Sequence, residues 1–282
     1  MSDFDPNETL RQLYDRIEAA SSEGLTEVAL AQCEEALELL DENEAEVEEF
    51  THADFLMLAG HTHWVAGNLE DAQRSYRGAL EYEPDRIDAL LAVGVTLFHL
   101  CRFEAARAQL EVVSAEEPEV GEAWYYLALL ALRRNDPALA DNFFRRANEL
   151  EPERWELPVQ LPFEEVVGIV RNFYNDMPPE LRKALEGVPI LAEERPAEAL
   201  LYSNDPPLDP LLLGLFDGTP LPEQSVFSVE LAPPHIYIFT ENISLLGGTR
   251  EKLEEELWIT LKHEIGHYFG LSEEELAERG LE

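Results

Sequence analysis

Basic residues are scarce in this sequence. Its 282 residues include 20 Lys and Arg against 59 Asp and Glu, a formal charge of -39. The acidic excess runs along the whole chain rather than sitting in a tail, so the surface repels phosphate backbones and nucleic acid is excluded as an expected partner. Cysteine is nearly absent. Cys33 and Cys101 both fall inside helical patterns and read as reduced core residues of a cytoplasmic protein, not as a disulfide. No apolar run approaches the ~18 residues of a membrane span, and MSDFDPNETL lacks the basic region and apolar core of an export signal. No membrane partner is expected. Hydrophobic residues at 45% and aromatics at 9% exclude a wholly disordered chain, and the length suits two domains.

The first half carries a period of 34 residues. Pro84, Pro118 and Pro152 keep that spacing, as do Gly60, Gly94 and Ala128, then Ala72, Ala106 and Ala140. Tyr76, Leu110 and Phe144 follow it, and so do Ala79, Val113 and Ala147. Small residues at fixed positions let two antiparallel helices pack closely, and the proline stops the second helix where the next unit starts. The pattern resembles the tetratricopeptide repeat, with three units over residues 53–154. Residues 1–52 read as a helical region with a divergent repeat near 10–43, where Ala29, Cys33 and Ala36 mimic a second helix. Stacked helix pairs expose a concave face suited to a peptide or protein partner. His61 and His63, two residues apart, diverge by about 200° on a helix, so with His52 they read as ordinary repeat residues.

After Pro152 the period stops. Residues 155–162 read as a linker, and residues 163–282 as a second domain. Helical patterning covers 163–186, and a short strand fits Val188 to Ala192. Asp205 to Glu223 is rich in proline and reads as a long loop without regular structure. Phe227, Val229 and Leu231 alternate with polar residues as a strand would, and HIYIFT, His235 to Thr240, fits another.

The last long helix is predicted from Arg250 to Phe269. Leu253, Leu257, Leu261, Ile265 and Tyr268 form its apolar stripe, and His263 and His267 lie on roughly the opposite face. Four residues make about one turn, so both imidazoles can reach one ion, with Glu264 beside them to take a proton from metal-bound water. Such an ion brings its water from a pKa of 15.7 to about 7, and Glu264 then acts as general base and proton carrier in amide hydrolysis. Gly270 marks a turn that returns Glu273 towards the histidines, in the pattern HExxHxxGxxE. Glu274 and Glu275 are alternatives to Glu273 as third ligand, and Ser272 with Glu275 also reads as a capping box.

Residues 161–282 resemble the small bacterial zincin-like metallopeptidases known as minimal zincins. The resemblance rests on KHEIGHYFGLSEEEL, on LLGLFDGTPL and on HIYIF. It implies one zinc ion held by His263, His267 and an acidic residue at Glu273, with Glu264 as the catalyst; the family often has aspartate where this chain has Glu273. All three methionines precede the motif, which excludes the methionine turn of metzincins. Fifteen residues follow His267, too few for the distant glutamate ligand of thermolysin-like enzymes. The short C-terminal side leaves the cleft poorly walled unless the repeats wall it.

The expected fold is multidomain and mainly α, a solenoid of repeats followed by a small α+β zincin-like domain. The expected function is a zinc-dependent peptidase whose repeats dock a polypeptide. The competing reading is a non-catalytic scaffold with a structural or vestigial metal site, and hydrolysis of a non-peptide amide fits the same residues. His235 and Tyr237 are further candidates for contact with the oxyanion, and the strand that carries them for edge pairing with a peptide.

Overall fold

The computed structural model describes residues 5–43, 45–223 and 233–281, which divide into two compact units, residues 1–151 and 152–282. The strand expected at Phe227, Val229 and Leu231 lies outside the described residues.

The first unit consists of helix pairs. They are α1 (Pro6–Ser22) with α2 (Thr26–Asn43), α3 (His52–Val65) with α4 (Leu69–Tyr82), α5 (Ile87–His99) with α6 (Phe103–Glu116), and α7 (Gly121–Arg133) with α8 (Pro137–Leu150). Alanines at the repeat positions, Ala72, Ala79, Ala106 and Ala147, are fully buried. The small residue on each first helix has a steric cause: a Cβ on Gly60 would stand 2.4 Å from the ring of Tyr76. The α1–α2 pair has the same kind of interior, with Ala29, Cys33 and Ala36 buried beside Leu10, Leu13 and Ile17. Ionic contacts add to this packing. Arg86, between α4 and α5, reaches Asp54 on α3 at 2.8 Å, Asp88 on α5 at 2.8 Å and Glu83 at 3.4 Å. Burial depresses its pKa, and the hydrogen bonds it donates to Asp88 and Asp54 outweigh that and raise it.

The second unit is α+β. Residues that read as a linker are integral to it: Leu161 is buried in its core, Val159 packs against that core, and Val159 N–H donates to Ser244 O at 3.0 Å. Helical residues follow as α9 (Phe163–Asp176) and α10 (Pro179–Ala184), interrupted where Pro178 and Pro179 remove two donors. Then come β1 (Ile190–Glu193), α11 (Glu198–Leu201), β2 (Gly214–Asp217), a 3-10 turn at Leu221–Glu223, β3 (His235–Phe239), α12 (Thr240–Ser244), α13 (Arg250–Tyr268) and α14 (Glu273–Ala277).

The sheet has the order β1-β3-β2, with β1 parallel and β2 antiparallel to β3. Two expectations are corrected here. The stretch Asp205 to Glu223 is not free of regular structure, because β2 lies inside it. Asn242 Nδ2 donates to Pro210 O and Leu212 O, and Phe239 N–H to Leu213 O, which delivers the chain to β3 just before β2 begins. The strand at His235 is central, with both edges occupied, so it has no edge to offer a peptide.

Ile236 and Ile238 of β3 meet Leu253, Leu257, Leu261, Ile265 and Tyr268 of α13 in one core. The stripe is buried because leucines at i, i+4 and i+8 stack on one helix face, and that burial turns the opposite face of α13 to the cleft. Tyr268 Oη also donates to Ala184 O at 2.9 Å, fixing the end of α13. No helix among the described residues is long and apolar enough to cross a membrane.

Candidate metal centre

His263 and His267 occupy successive turns of α13, on the side away from the buried stripe, and both are partly exposed. Their Nε2 atoms lie 2.9 Å apart. Beyond α13 the chain turns at Gly270, whose φ of +82° suits glycine, and Ser272 caps α14. Glu273, the first residue of α14, brings Oε1 to 3.1 Å from His267 Nε2 and Oε2 to 3.5 Å from His263 Nε2. The expected capping box exists, but it engages Glu275, which accepts from Ser272 N–H at 3.0 Å, and leaves Glu273 free to face the histidines.

The hydrogen bonds of the rings fix which nitrogen is available. His263 Nδ1 lies 2.6 Å from Leu281 O and His267 Nδ1 lies 3.2 Å from Leu271 O. Each carbonyl only accepts, so each Nδ1 carries a proton and each ring turns its Nε2 inward. Ligand bonds of about 2.0–2.2 Å at tetrahedral angles put neighbouring donors roughly 3.3–3.6 Å apart, and the three donor groups here lie 2.9, 3.1 and 3.5 Å from one another, a few tenths of an ångström closer at two of the three. The donor set therefore fits zinc. Among the described residues this is the one group of three such side chains, and His52 instead contacts Asp41 at 2.9 Å and stacks on Tyr82.

Glu264 is buried beside the cluster, 7% exposed. Its Oε2 accepts the backbone N–H of Phe216 on β2 at 2.6 Å. Burial raises its pKa, against the pull of His263, His267 and the Phe216 N–H, and Glu273 adds to the rise. Strand and helix approach closely there: a Cβ on Gly214 would stand 2.7 Å from Thr260 Cγ2 and 2.9 Å from Glu264 Cγ. Phe216 packs its ring edge-on against Tyr268, with centroids 5.8 Å apart. Gly214, Phe216 and Glu264 line a cleft of about 480 Å³ whose walls also include Leu215, Pro220, Leu271 and the three clustered side chains.

The structure thus brings His263, Glu264, His267 and Glu273 together. His235 and Tyr237 are not among the residues lining the cleft; their rings stack on each other along β3 instead. Phe216 and Gly214 were not singled out from sequence. Their segment, LLGLFDGTPL, is legible as a motif, but four residues between prolines are too few for a strand periodicity.

Residues 185–281 match the family model for the zincin-like metallopeptidases, and residues 64–131 that for the tetratricopeptide repeat. No curated protein matches the chain significantly. Among solved structures, MamA protein is 19% identical over 51% of this chain and 74% of its own, with a TM-score of 0.43. A tetratricopeptide repeat protein from Parabacteroides merdae is 20% identical over 62% of this chain and 66% of its own, with a TM-score of 0.40. The chain carries a tetratricopeptide-repeat segment followed by a zincin-like metallopeptidase domain.

Proposed function

We propose that the second unit is a zinc-dependent peptidase, with His263, His267 and Glu273 holding one ion, Glu264 as general base, and the repeats docking a polypeptide. The observation that carries this is the convergence of two Nε2 atoms and one carboxylate beside a buried glutamate already held by a backbone donor. Zinc held by His263, His267 and Glu273 would supply Lewis-acid chemistry, polarising a carbonyl and making a bound water more acidic. Three protein donors, the number found among the described residues, leave a position open, as a catalytic site requires and a closed structural site does not.

Glu264 takes the proton of the attacking water and delivers it to the leaving amine. The Phe216 N–H holds one carboxylate oxygen, so the other is the one aimed at the proton. Because β2 is an edge strand among the described residues and borders the cleft, an extended peptide laid along it takes main-chain hydrogen bonds from the protein. The repeats raise the local concentration of that substrate by binding another part of it. Cys33 and Cys101, both buried thiols outside any disulfide among the described residues, suit a cytoplasmic setting.

The test is metal analysis of purified wild type and Glu264→Gln, followed by cleavage of a peptide library by both. One zinc per chain in each, with cleavage by wild type alone, supports the reading. Zinc in both with cleavage by neither leaves the repeat scaffold with a structural metal as the better account.

A further inference from the structure

Among the described residues, the polar groups from outside α13 that face His263 and His267 come from one stretch, residues 271–281. Leu271 O faces His267 Nδ1, Glu273 supplies the carboxylate, and Leu281 O faces His263 Nδ1. That stretch has a single buried side chain, Leu276, at 0% exposure. Leu276 sits on Gly266, the glycine of HEIGH, where an added Cβ would stand 2.4 Å from Leu276 Cδ2. The anchor is relayed both ways. Leu271 N–H donates to Gly266 O at 3.0 Å, and Leu281 N–H to Leu276 O at 3.1 Å.

We propose that residues 271–281 form a positioning clamp whose docking onto α13, through Leu276 on Gly266, is coupled to metal binding. The proposal rests on the metal centre described above. One leucine is a slender anchor against the entropy of ordering the stretch, so docking and the ligand bond from Glu273 depend on each other. Leu276 and the Leu281 carbonyl touch no substrate. They act through the histidines and Glu273, by holding each ring in the tautomer that presents Nε2.

Two variants of the full chain test this: Leu276→Ala, and a chain ending at Arg279, which keeps Glu273 and Leu276 but removes the Leu281 carbonyl. Zinc affinity is read by competition with a chromophoric chelator, the ligand field by the visible spectrum of the cobalt-substituted protein, and docking by hydrogen exchange. The expected result is a loss of about 10–100-fold in zinc affinity in both variants, with an altered cobalt spectrum and unchanged helical circular dichroism. In wild type, zinc should slow exchange across 271–281. Affinity within twofold of wild type in both variants, or exchange in this stretch indifferent to zinc, overturns the clamp and leaves the metal centre standing. Should Leu276→Ala lose its helical signal, the shortened chain decides alone. A wild type that takes up no zinc overturns the metal centre and the clamp with it.

Discussion

Glu264 Oε2 accepts the Phe216 backbone N–H at 2.6 Å, a bond that joins the metal-motif helix to the edge strand of the sheet across 48 residues of sequence. It fixes the rotamer of the proposed base before any substrate arrives, which is what preorganisation of a general base requires.

Replacing Glu264 with Gln keeps an acceptor for Phe216 N–H and removes the base. Peptide cleavage is expected to fall by about 10²–10⁴-fold while zinc content stays at the wild-type level. Single-turnover assays beside metal analysis measure both.

Gly214→Ala forces a methyl group against Thr260 and Glu264, both on α13. The strand must shift or the helix must yield, at a cost of about 1–3 kcal/mol. Chemical denaturation should show that loss, and cleavage should drop with it because Glu264 is displaced from Phe216.

Arg86→Met leaves Asp54, Glu83 and Asp88 without their shared cation. Solvent screens these partly exposed carboxylates, so the expected destabilisation is about 1–2 kcal/mol rather than the value of a fully buried ion pair. Thermal unfolding followed by circular dichroism should show it, with a smaller difference at high salt.

Burial pushes the Cys33 thiol up to about 12. The folded state therefore holds its proton where the unfolded state has lost it. This contribution to stability is intact below the ordinary thiol range and declines as pH rises from there towards 12. At pH 8, iodoacetamide should leave Cys33 unmodified in the native protein and alkylate it fully in guanidinium, as peptide mapping by mass spectrometry would register.

The repeat half was legible in the sequence because its signals are local and recur. Proline follows the second helix of three of the pairs, alanine lines the interfaces, and Gly60 meets Tyr76 sixteen residues on within one helix pair. The stripe of α13 was legible for the same reason, since Leu253, Leu257 and Leu261 need only the helical period to declare a buried face. The strand β2 was not. Gly214–Asp217 has no period of its own and becomes a strand through pairing with His235–Ile238, about twenty residues later.

The metal motif divides along the same line. By itself the sequence determined that His263 and His267 share a helix face one turn apart, because the α-helical period fixes that geometry without help from the rest of the chain. Only the tertiary structure decided what surrounds them. The pairing of β2 put Phe216 N–H on Glu264, the Ser272 cap engaged Glu275 and left Glu273 free, and Leu276 on Gly266 brought Leu281 O to His263. Those contacts depend on where the chain returns after a turn, a position set by packing against the core and not by any repeat along the sequence.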